Sequence, residues 1–62
     1  MGTLNQDRAA RRIEAEAKRP IQIEVTDDPF ERFRALDPET GYLAIADTAA
    51  KLRRILKIHG VL

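Results

Sequence analysis

The apolar positions along the chain change period several times. Ala9, Ala10, Ile13 and Ala17 recur at helical spacing, and three oppositely charged pairs, Asp7/Arg11, Arg12/Glu16 and Glu14/Lys18, stand four residues apart, where they are neighbours on a helix surface. A helix is therefore expected over residues 3–18. Thr3 suits its N-cap, with Gln6 three residues on in a capping-box arrangement. Ile13 is the one large member of the stripe, and so thin a stripe docks weakly on its own domain. Arg19-Pro20 closes the helix, because the residue before proline is driven out of the α region.

The period then becomes two. Ile21-Gln22-Ile23-Glu24-Val25 alternates apolar and polar, with β-branched side chains at the apolar positions, which predicts a half-buried strand. Pro20 before it suits a first or edge position. Asp28-Pro29-Phe30-Glu31 carries helix-start chemistry: an N-cap carboxylate, proline at the first position and an acid at the third. A short helix is expected over 29–36, with Phe30, Phe33 and Leu36 on one side. Asp37-Pro38-Glu39-Thr40-Gly41 is a turn.

Tyr42 to Ala46 reads two ways. It can be a second strand pairing with 21–25, followed by a helix from Asp47 or Thr48, or it can open one helix that runs to residue 59. Ile45, Ala49, Leu52, Ile55, Leu56 and His59 fall within an arc of about 120° at helical spacing, with Lys51, Arg53, Arg54 and Lys57 opposite. That favours a helix from the mid-forties to His59. Gly60 then supplies the left-handed residue that ends it. The expected fold class is a small single-domain α+β unit. Its order is an N-terminal helix, one short strand or a two-stranded hairpin, a short helix and a basic amphipathic C-terminal helix. Residues 1–19 form a charged helical arm and residues 20–62 the core.

Length makes this unit marginal. For 62 residues, surface scaling puts about 6,000 Å² out of water on folding. At ~25 cal/mol/Å² over the apolar ~60%, that stabilises by about 90 kcal/mol, and ordering the chain costs about as much. No cysteine is present to add a disulfide or thiolate metal site. The length therefore favours an oligomer or a bound subunit.

Net charge is +1, but it is segregated. Residues 1–19 carry five basic and three acidic side chains, residues 20–47 two and seven, and residues 48–62 four and none. No apolar run approaches the ~20 residues of a bilayer span, and no signal-peptide pattern opens the chain. A soluble, cytoplasmic protein without membrane association is the expectation.

Enzyme chemistry has little to work with. Serine and cysteine are absent and His59 is the only imidazole, so no catalytic, cofactor-binding or metal-ligating residues are assigned, no cofactor is expected, and no small-molecule substrate either. Asp27, Asp28 and Glu31 are accounted for by a helix N-terminus.

The favoured reading is a non-enzymatic accessory or regulatory protein that associates with a protein partner, with itself, or with both. The candidate contact residues are Ile13, Phe30, Phe33, Leu52, Ile55, Leu56, Ile58, Val61 and Leu62. Val61 and Leu62 have a second reading, folding back over Gly60 onto the core. The alternative is a small dimeric DNA-binding regulator of the antitoxin type, using Arg8, Arg11, Arg12, Lys51, Arg53, Arg54 and Lys57 against phosphates. The expected order strand, helix, helix over 21–59 resembles the ribbon-helix-helix regulators in element order alone, which implies a dimer laying a two-stranded ribbon in the major groove. Gln22 and Glu24 would then face the DNA, and a carboxylate there repels phosphate. A phage-type inhibitor is a third, weaker reading.

Overall fold

The computed structural model describes residues 2–62, with side chains from Asn5 onward. The proposed Thr3 cap thus lies outside the described side chains. The elements are helix α1 (Gly2–Glu16), strands β1 (Gln22–Val25), β2 (Phe33–Asp37) and β3 (Gly41–Ala46), and helix α2 (Ala49–Ile58). The fold is α+β, with a three-stranded antiparallel sheet in the order β1-β2-β3. Expecting one strand, or a hairpin, undercounts it.

Helix α1 packs on the sheet despite its thin stripe. Ala10 and Ile13 are fully buried, with Ala17 packed at the core's edge. Alanines let the helix approach closely, so one isoleucine suffices to fill the gap. Its C-terminal end is tied down where the Lys18 N–H donates to the Val61 carbonyl at 2.7 Å.

The expected helix over 29–36 is not formed. Asp28 does cap, its Oδ1 accepting from the N–H groups of Phe30 (2.8 Å) and Glu31 (3.2 Å). The turn it caps closes a hairpin loop instead: Thr26 Oγ1 donates to the Glu31 carbonyl at 2.7 Å and the Thr26 N–H to the Arg32 carbonyl at 2.8 Å. From Phe33 the chain runs as the central strand, Phe33, Ala35 and Asp37 facing the helices. An eight-residue helix is marginal in water, whereas the strand pairs on both sides, Val25 with Phe33 and Phe33 with Ala46.

The turn after β2 forms as expected. Asp37 Oδ1 accepts from the Glu39 N–H at 2.8 Å, and Gly41 takes φ +89°. Residues 42–46 are strand, so Ile45 belongs to β3 and α2 begins later than the mid-forties. The register shifts at Ala35/Leu36, where Leu43 is the extra residue of a bulge. Thr48 caps α2, its side chain accepting from the Lys51 N–H at 3.2 Å.

The end of α2 is a Schellman motif. Gly60 has φ +78°, its N–H donates to the Lys57 carbonyl, and the Val61 N–H donates to Leu56 at 2.8 Å. Val61 is thereby swung into the core.

Both helices cover one side of the sheet. The core there comprises Ala10 and Ile13 of α1, Ile23, Phe33, Ala35, Ala44 and Ala46 of the sheet, and Leu52, Leu56 and Val61. Since β3 runs opposite to β2 and α2 returns along it, α2 and α1 lie parallel, their C-terminal ends joined by the Lys18–Val61 bond. No helix is long and apolar enough to cross a membrane among the described residues.

Candidate functional surfaces

The other side of the sheet carries no helix. Residues facing each other across an antiparallel pair share a side of the sheet, so pairing places two rows here: Glu24, Arg34 and Ile45, and Gln22, Leu36 and Tyr42. An antiparallel sheet with one wet face is expected to be polar on it. Three of these six are large and apolar or aromatic, on adjacent strands. Tyr42 is 54% exposed, while Leu36 and Ile45 are half-buried. Arg34 reaches toward Glu31 at 3.8 Å, yet its Nε is buried without a hydrogen-bond partner.

The free edge of this sheet at β1 is treated differently. The Ile23 N–H donates to Glu14 Oε2 at 2.7 Å, and Arg11 Nη2 donates to the Ile23 carbonyl at 2.6 Å. The two α1 side chains are themselves paired, Arg11 Nε to Glu14 Oε1 at 3.0 Å. They take the places a further strand would need, which blunts the edge.

The opposite, helical surface is basic. Arg8, Arg12 and Glu16 repeat every four residues along α1 and line the groove toward Arg53 of α2, with Arg54 and Lys57 beyond it. Arg53 Nη1 bonds Glu16 Oε1 at 2.6 Å, and that hydrogen bond holds Glu16 below the ordinary carboxylate range while raising Arg53. Among the nucleic-acid candidates, Arg8, Arg12, Arg53, Arg54 and Lys57 thus meet on one surface. Arg11 turns instead to β1, and Lys51 pairs with Asp47 at 3.2 Å.

The protein-contact candidates are scattered. Ile13, Phe33, Leu52, Leu56 and Val61 are core residues and present nothing to a partner in this structure; Ile55 and Leu62 pack half-buried against that core. Phe30 and Ile58 are exposed, 81% and 78%, but one sits in the β1–β2 loop and the other in the last turn of α2, at opposite ends of the sheet. The sequence pattern places Leu36 with Phe30 and Phe33 on a helix and Ile45 on the apolar arc of α2, and does not group them with Tyr42, since that grouping depends on the register of β2 and β3. The one available signal was the alternation in 33–37, where Leu36 falls on the opposite side from Phe33 and Ala35.

His59 is exposed, and no group of three or more His, Cys, Asp or Glu side chains converges among the described residues. No protein-family model, curated protein or solved structure matches the chain.

Proposed function

We infer that the protein is a non-enzymatic accessory or regulatory protein acting by protein–protein association, and that the uncovered sheet face is its contact surface. The observation that carries this is the cluster of Leu36, Tyr42 and Ile45 on adjacent strands of that face. Surface side chains that exclude water only when covered favour association in proportion to the apolar area removed.

A second copy of the chain fits the face best. Its apolar members lie toward β3 and its polar members toward β1. A two-fold axis in the sheet plane and across the strands exchanges the two rows, setting Ile45 against Tyr42 of the other copy and Glu24 against Gln22. On the two outer strands apolar groups then meet apolar and polar meet polar, the self-complementarity an isologous contact requires. Leu36 comes to lie against the aliphatic stem of the other copy's Arg34. The footprint is small. Three strands about 4.8 Å apart and about 17 Å long belong to the weak end of specific interfaces, so a dissociation constant in the micromolar range or above is expected.

Sedimentation velocity over a dilution series is the test. A monomer–dimer equilibrium is expected, weakened about tenfold or more by Ile45→Thr, which keeps a β-branched residue in the strand and removes apolar area. A chain that stays monomeric up to about 1 mM contradicts the second copy as occupant.

A further inference from the structure

We propose that the groove between α1 and α2 binds the phosphate backbone of a nucleic-acid duplex. The two basic segments are separated in sequence by the acidic centre, and folding brings their cations together. Arg8, Arg12, Arg53, Arg54 and Lys57 meet Glu16 as the one acidic side chain there, a side-chain excess of four positive charges.

The central acids are drawn away from this surface. Asp27, Asp28 and Glu31 sit in the β1–β2 loop, Glu39 in the β2–β3 turn and Glu24 on the open sheet side. Asp37 is buried and paired with Arg19 at 3.1 Å. On the remaining elements, Asp7 and Glu14 are turned to Arg11, and Asp47 to Lys51. The cations are displayed on two packed helices. Arg8 and Arg12 stand four residues apart, about 6 Å along the axis, and packed helix axes lie about 10 Å apart. That gives a rigid two-dimensional array suited to a phosphate chain.

Shape and composition select the ligand. The depressions on either side of Arg53, about 250 and 480 Å³, are half-open to solvent, whereas a small-molecule pocket buries most of its ligand. Phe30, Phe33 and Tyr42 lie in the loop, the core and the far side of the sheet. The remaining ring, the His59 imidazole, is a single exposed side chain after α2 and makes no platform for successive unpaired bases, which favours contact through the backbone of a duplex. Among the described residues, Ile58 is the one strongly exposed large apolar side chain on the helices, too little for burial in a lipid interface, which takes a continuous apolar helix face. The Glu16 carboxylate competes for Arg53, so four cations are available for phosphates. Direct contacts of this kind confer affinity without base specificity.

The test is fluorescence anisotropy of the full chain against labelled duplex DNA and duplex RNA of random sequence, with single strands and anionic phospholipid vesicles as further probes. Four phosphate contacts predict a log–log salt slope near −3.6, an affinity loss of about 100-fold between 50 and 200 mM salt. The double substitution Arg8→Gln/Arg12→Gln is expected to reduce that slope by about two contacts. Lys51→Gln, which removes a cation paired off the groove, should leave the slope nearly unchanged. Both variants alter exposed side chains, and circular dichroism verifies their folding. Binding to either duplex with this pattern supports the proposal. It is overturned by no binding at 50 mM salt, by equal losses in Lys51→Gln and the groove variant, or by tighter binding to single strands or vesicles than to duplex. The groove lies on the opposite side of the molecule from the open sheet face, so its failure leaves the association reading standing, and the reverse holds.

Discussion

Gly60 and Glu16 show how single residues fix the chain. Gly60 ends α2 at φ +78° with open space around the position a Cβ would take. The cost of Gly60→Ala is therefore conformational rather than steric, about 1–2 kcal/mol, measurable as a lowered midpoint in urea. Repair by a d-alanine at the same position would locate the cost in the backbone. Glu16 is exposed, and its hydrogen bond from Arg53 keeps its folded pKa below the unfolded one. A depressed acid contributes stability that is present above its unfolded pKa and lost as pH falls through the folded value. Thermal melts of Glu16→Gln and the unsubstituted chain should thus differ near neutrality and converge in acid, and a difference persisting to the lowest pH would remove the pair as its source. Legibility at this scale was good for local chemistry. The Asp28 cap, the Asp37 turn and the Gly60 terminator act as their residue types predict, because each depends on neighbours within a few positions.

Elements were less legible, for a reason visible in β2. Phe30, Phe33 and Leu36 recur every three residues and suit a helix, while Phe33, Ala35 and Asp37 alternate as a strand; five residues cannot separate the two periods. Hydrogen bonds to β1 and β3 decide the matter, and those partners are distant in sequence. Ile45 misled similarly, since it extends the apolar arc of α2 while belonging to β3. The β1 edge depends on side chains from another element. With Glu14→Ala the Ile23 N–H loses its acceptor, so its amide should exchange with solvent at least tenfold faster, and the variant should aggregate more readily through the opened edge. Exchange at Ile23 as slow as in the unsubstituted chain would show that Glu14 does not guard it.

At the scale of the whole molecule, length and charge acquire a different meaning. The radius of gyration is 10.5 Å, against about 10.6 Å for a compact domain of 62 residues, and the exposed surface of 4312 Å² is close to the ~4,000 Å² that scaling gives. The chain thus closes a core by itself, with α1 supplying part of it. What length arithmetic could not reveal is where apolar side chains group at the surface; among the described residues that is the open sheet face, while Ile58 of α2 and Phe30 of the loop stand apart from it and from each other. The ribbon-helix-helix likeness rested on a strand followed by two helices and does not survive a three-stranded sheet. Charge segregation along the chain becomes segregation in space, with a basic helical side and acids displaced to loops and the far face. The sequence blocks were readable; their assembly into one surface requires the packing of α1 against α2.

The most direct measurement is a concentration series of amide chemical shifts by NMR. Association through the open sheet face predicts concentration-dependent shifts grouped at Leu36, Tyr42, Ile45 and their cross-strand neighbours, with the outer faces of α1 and α2 unchanged. Spectra that do not vary with concentration, or shifts grouped on the helices instead, would contradict it.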